Sequence, residues 1–199
     1  MLSDYEIPEY LYHGTQSYYM PSILKNGLDP YYTSCWRDKS QYWNWTCLTD
    51  IKELARDWVG LDYYEDGNGV VLQIPTKELN PEKYCLEAGL IIYGSMPHAR
   101  DQNSRKFNRE KTNWKDFLAK VGVVGYTDKI EIKEENILYG KHNLSRIKSI
   151  QKKYEKAVEE KTFEHKNPRT FRSDFQNFWD DHIREENIEK MKKNGDILL

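Results

Sequence analysis

The sequence predicts an α+β domain followed by a helical C-terminal extension, and three observations carry that prediction. Over residues 1–145, short β-prone runs alternate with short amphipathic stretches, separated by Gly, Pro, Asn and Asp. From about Arg146 the apolar period becomes helical, with Ile147, Ile150, Tyr154 and Ala157 in step. Finally, 6 Trp, 15 Tyr and 6 Phe supply large buried surfaces to a chain that is 31% charged and only 38% apolar. Such a charge balance alone would permit disorder, and the rings argue for a folded core.

The elements follow in order. Tyr10 to His13 is a β-prone run ending at Gly14, so His13 falls at a strand's edge. Tyr19, Met20, Ile23 and Leu24 share one helical face, with Gly27 placed to stop that helix. Thr46 to Thr49 reads as a short strand. Asp50 then stands as the cap of a helix, Glu53 completing a capping box and Ile51, Leu54, Ala55 and Trp58 giving the inner face. Asp66 to Gly69 is a turn signal before the strand Val70 to Ile74. Leu90 to Tyr93 and Val121 to Tyr126 are further strands, separated by a polar stretch, Gly94 to Asn113, longer than a passive connection needs. In the extension (residues 146–199), a break near Asn167-Pro168 separates the first helix from a second. Phe175, Phe178, Trp179, Ile183 and Ile188 line that second helix as a docking stripe.

Composition narrows the function classes. The net charge of −2 indicates no global polyanion binder, and the division into −4 for residues 1–145 and +2 for 146–199 names no partner. No apolar run approaches the roughly 20 residues that span a bilayer. The first ten residues lack the basic and apolar regions of a signal peptide. Cys35, Cys47 and Cys85 are spaced like no metal knuckle or disulfide frame, and His142, His165 and His182 lack ligand spacing. The expectation is a cytoplasmic, thiol-reduced protein with no membrane partner and no metal.

Four local patterns occur in a telling order: Leu11-Tyr12-His13-Gly14-Thr15 leading to Ile23 through Leu28; Cys47-Leu48-Thr49-Asp50 leading to Leu54 through Trp58; Val70 through Pro75; and Val123-Val124-Gly125-Tyr126 continuing past Ile130 to Ile137. Together they resemble the ADP-ribosyltransferase superfamily, in the branch whose first motif is a strand ending in His-Gly-Thr or His-Gly-Ser. The resemblance covers about residues 10–140. It implies a split mixed β-sheet with flanking short helices, and NAD as co-substrate.

What the resemblance implies for single residues can be set beside their chemistry. Gly14 lacks a Cβ, which lets its backbone approach the nicotinamide amide. His13 would present a ring nitrogen to the adenosine ribose hydroxyls, and Thr15 belongs to the same NAD-binding motif. A satisfied core histidine is the plainer reading of His13. Trp58 falls where the family stacks a ring on the nicotinamide, a cation–π contact; packing with Leu54 and Ile51 explains it equally. Thr49 suits a ribose hydrogen bond or a helix start. The family's last-strand glutamate, which steadies positive charge as the glycosidic bond breaks, aligns here with Val123 or Gly122. Asp128, Glu131, Glu134 and Glu135 are the nearby carboxylates. Glu131, alternating with Ile130 and Ile132, is the catalytic substitute this pattern offers beside His13.

Residues 98–120 carry a net charge of +4, with Phe107 and Trp114 interleaved. His98, Arg100, Arg105, Lys106 and Arg109 are candidates to hold acceptor phosphates while a ring stacks an unpaired base. A loop that balances acidic neighbours is the alternative. The expected activity is mono-ADP-ribosyl transfer, to a DNA or RNA base by preference and to a protein side chain otherwise, in a toxin, defence or phage effector. The extension would dock on the domain or bind an antitoxin or chaperone. An RNA 2′-phosphotransferase-like enzyme using NAD as phosphate acceptor, or an inactive NAD-sensing or protein-binding module, are the other readings.

Overall fold

The computed structural model describes residues 5–31, 44–59, 69–87, 100–101, 107–108, 110–162 and 174–194. The chain divides into two compact units, Met1–Lys141 and His142–Leu199. Among the described residues the first is a mixed α and β body around a six-stranded sheet. Its strands are β1 (Tyr10–Gln16), β2 (Thr46–Thr49), β3 (Gly69–Pro75), β4 (Tyr84–Cys85), β5 (Val123–Tyr126) and β6 (Ile137–Tyr139), in the spatial order β4-β5-β2-β1-β3-β6. Every pairing within this sheet is antiparallel, where a mixed sheet was expected.

The sheet consists of two ladders. On one side β1 and β3 share seven register pairs, from Tyr10↔Pro75 to Gln16↔Gly69, and β6 adds to β3. On the other, β2 and β5 share four, from Thr46↔Tyr126 to Thr49↔Val123, and β4 adds to β5. A single register pair, Tyr12↔Thr49, joins the two.

Helices α1 (Met20–Asn26), α2 (Lys52–Trp58) and α3 (Trp114–Val121) belong to this unit. Pro21 stands in the first turn of α1 and Gly27 closes it, its N–H donating to Ile23 O at 2.7 Å, as the sequence predicts. Helix α2 covers one face of both ladders. Its Ala55 and Val59 bury with Val71, and its Leu54 buries with Phe117 and Val121 of α3 and Val123 of β5. The alternate residues Leu11, Leu72, Leu48 and Val124 are buried from the opposite face. Each such side chain contributes about 1.5–3 kcal/mol.

Three expectations need correction. Asp50 does not cap α2: Ile51 occupies that position, and the Ile51 N–H is taken by Thr49 Oγ1 at 3.0 Å. The Asp50 carboxylate is drawn instead to Tyr5 and Arg100. Val121 ends a helix rather than opening a strand, because Gly122 turns left-handed (φ 93°) and lets β5 begin at Val123. The segment 98–120 is not all loop, since α3 occupies its last third, with Asn113 accepting the Asp116 N–H at 2.8 Å as its cap. The predicted strand Leu90–Tyr93 lies outside the described residues.

The second unit holds α4 (Asn143–Glu159) and α5 (Asp174–Asn194). Ile147 and Ile150 are buried, and Tyr154 meets Phe175 and Phe178 edge-on at 5.5 and 5.4 Å. Arg146 pairs with Glu186. The predicted apolar stripe is thus the contact between the two helices, while Ile188 is exposed. The division after Lys141 falls just before the expected 145/146 boundary. Among the described residues no helix is long and apolar enough to cross a membrane.

Candidate functional site

The junction between the two ladders is where the predicted residues gather. Continued by two residues, the β1–β2 register would set Gly14 opposite Cys47, but the pairing stops at Tyr12↔Thr49. The Cys47 carbonyl takes the His13 side chain instead, at 2.9 Å from Nδ1. A carbonyl only accepts, so Nδ1 carries the proton of that bond. Burial holds the imidazole below its ordinary value of 6.5, and the bond to Cys47 opposes this only in part. In the neutral ring Nε2 is then an acceptor, matched to a hydroxyl or amide donor.

Gly14 is explained by packing as well as by any ligand. A Cβ there would lie 2.2 Å from Ala55 O and 3.0 Å from Val59 Cγ1, so its bare Cα is what lets α2 seat on β1. Thr15, buried beside it, pairs with Val70. Thr49 is fully buried, and its hydroxyl donates to Gly122 O at 2.6 Å while accepting from Ile51 N. That hydroxyl fastens β2 to the start of β5 and opens α2; of its two readings, the structure places it in the helix start.

Trp58 packs against the cluster of Leu54, Phe117, Val121 and Val123, and Cys47 packs against the same cluster. The indole therefore sits beside the strand that holds His13, on the opposite face of the sheet from the imidazole. Strand β5 presents only Val123, Val124, Gly125 and Tyr126, all buried, and no carboxylate. Glu131 is exposed and lies beyond β5, between buried Ile130 and Ile132, with Ile130 bridging to Leu28. The alternation is as read from sequence, but it does not bring Glu131 into a ladder of the sheet.

Of the basic candidates, Arg100 donates to Asp50 Oδ2 at 2.7 Å and to Leu118 O at 3.0 Å. Its guanidinium side chain is 43% exposed, that of Asp50 only 2%. The arginine thus compensates an enclosed carboxylate, a structural task that leaves one side toward solvent. His98, Arg105, Lys106 and Arg109 lie outside the described residues. Phe107 packs edge-on to Phe117 at 5.2 Å and Trp114 stacks on Tyr84 at 4.8 Å. Both rings proposed as base platforms are therefore engaged within the protein.

The sequence gives no sign of the Cys47 carbonyl at the junction, nor of the buried pair Trp45 and Glu87. Glu87 is buried to 3% exposure and accepts from Trp45 Nε1 at 3.3 Å. A glutamate just after a two-residue strand carries no periodic signal, and only its place among Tyr84, Cys85 and Leu86 hints at an inward position. Burial, assisted by the Glu87 charge, pushes the Cys85 thiol up to about 12 and the Cys47 thiol well above its ordinary range. Neither is a nucleophile near neutral pH.

No family model, curated protein or solved structure matches the chain.

Proposed function

We propose that the protein is an NAD-dependent mono-ADP-ribosyltransferase whose dinucleotide seat is the junction of the two ladders. One observation carries this reading: the sheet is joined at a single pair, and immediately beyond it His13 occupies the carbonyl that the next ladder partner would take. The motif that suggested the resemblance thus lies at a break in the sheet with one imidazole nitrogen held and the other an acceptor. In this reading a ribose hydroxyl donates to His13 Nε2 and backbone near Gly14 meets the carboxamide, while Trp58 stays in the packing on the other face of the sheet.

The reaction breaks the bond between ribose C1′ and the pyridinium nitrogen. Nicotinamide leaves with the bonding pair and becomes neutral, and the sugar becomes an oxocarbenium ion. A nucleophile then bonds to C1′ and releases its proton to water. A nucleic-acid base is the preferred acceptor, favoured by the +4 charge of residues 98–120. A protein side chain is the alternative outcome.

Titration calorimetry with NAD and mass spectrometry of nucleic acid and protein after incubation test the proposal together. The expected result is saturable NAD binding and an added ADP-ribose mass. His13→Ala is expected to weaken binding about tenfold or more, the loss of one good hydrogen bond, and to abolish transfer. A folded wild-type protein that does not bind NAD overturns the reading. Binding without transfer to any acceptor supports the inactive sensor, which the absence of a carboxylate from β5 favours.

A further inference from the structure

The helix pair of the second unit holds a cluster of titratable groups that the transfer reaction does not use. His182 lies on α5, its ring nearly parallel to that of Phe178 with 6.4 Å between centroids. Its Nε2 stands 3.2 Å from Lys153 Nζ of α4 and 3.2 Å from Glu186 Oε1 of α5. The other oxygen of Glu186 is taken by Arg146 of α4.

One ring nitrogen cannot serve both neighbours at once. The Lys153 ammonium only donates, and the Glu186 carboxylate only accepts. A neutral imidazole can leave Nε2 bare and accept from Lys153. A protonated one carries hydrogen on both nitrogens and can only donate, which leaves Glu186 as its partner. We infer that His182 is a proton-operated clasp of the α4–α5 hairpin, tying the two helices through Lys153 when neutral and turning to Glu186 when charged. The inference goes beyond the ADP-ribosyl-transfer reading and does not depend on it.

The two ties differ in what they connect. Lys153–His182 crosses from α4 to α5, whereas His182–Glu186 is an i, i+4 pair within α5 and holds no helix to another. Protonation also sets a second cation beside the Lys153 ammonium, which is exposed and can turn to water. What then joins the helices here is Arg146 on a shared Glu186 and the rings of Tyr154, Phe175 and Phe178. The other carboxylates along this stretch of α5 are Asp181, which pairs with Arg184 at 3.2 Å, and Glu185 at i+3 from the ring. Carboxylates ordinarily titrate below the range of about pH 5 to 8 in which histidine changes charge. The His182 side chain is 18% exposed, so water can deliver the proton. The tie between helices is therefore present above the histidine range and is lost as pH falls through it.

Hydrogen exchange of the full chain at about pH 7.5 and 5.5 reads the clasp, as protection factors that remove the intrinsic pH dependence. Amides 147–157 of α4 should lose protection about two- to tenfold at the lower pH, the range of one lost hydrogen bond. His182→Gln should abolish that loss, because its amide accepts from Lys153 and donates to Glu186 at any pH. His142, at the head of α4, stays in this variant and controls for its own titration. Lys153→Met, which keeps the apolar stem, should show the lowered protection already at about pH 7.5. Equal wild-type protection at both pH values overturns the inference, and so does an undiminished loss in His182→Gln. If His182→Gln leaves the hairpin unprotected throughout, Lys153→Met decides. Protection already lowered at the higher pH, with no further fall in acid, supports the clasp; wild-type behaviour refutes it.

Discussion

The two sides of β1 are built differently. Toward β3 the strand makes seven register pairs, and α2 lies so close that Gly14 has no room for a methyl group. Toward β2 it makes one pair, after which a side chain replaces the main chain as the partner of Cys47. The first side is closed by the ordinary hydrogen-bond repeat of a sheet. The second leaves His13 and neighbouring backbone at a discontinuity. The difference teaches that a strand inside a sheet can still present an open edge, provided the ladder on that side ends early.

The largest expected effect breaks the closed side. Gly14→Val places a branched side chain against the Ala55 carbonyl, which is backbone and cannot swing away. A loss of about 3 kcal/mol or more is expected from the urea midpoint. A variant as stable as wild type would mean that α2 does not rest on β1. The next effect loosens the open side without touching β1. Thr49→Val leaves the Gly122 carbonyl and Ile51 N–H without their buried partner and should cost about 1–3 kcal/mol by the same measurement.

The smallest effect is a pH dependence. Because the folded-state value of His13 is depressed, the unfolded chain binds a proton that the folded chain resists. Its contribution is therefore undiminished above 6.5, declines as pH falls through 6.5, and levels off once the folded value is passed. Between about pH 7.5 and 5 the melting temperature of wild type should fall more than that of His13→Gln. Equal slopes would show that the imidazole is not enclosed at the junction.

How much of this was legible in the sequence depended on signal length. Strand β2, the bulk of β3, the start of β1 and the Gly27 stop of α1 all followed from runs of apolar residues with turn residues at their ends. Strands β4 and β6, two and three residues long, are too short to show a period of two. Helix α3 has a weak sequence signal because its buried Phe117, Leu118 and Val121 are interleaved with Lys115 and Lys120. Asp50 looked like a cap from its type and the spacing to Glu53, but Ile51 holds that position and the Asp50 carboxylate is drawn to Tyr5 and Arg100, remote in sequence. His13 and Gly14 were found as a motif, whereas the carbonyl of Cys47 has no sequence signature at all. The burial of Glu87 likewise shows only once the fold brings Trp45 to it.

The brevity of the described sheet's outer strands bears on how copies of the chain can meet. The described sheet terminates in Tyr84–Cys85 on one flank and Ile137–Tyr139 on the other. A net charge of −2 gives copies of the chain little mutual repulsion. Among the described residues, the two flanks leave so few unpaired rungs that they offer a second molecule almost no template for strand accretion.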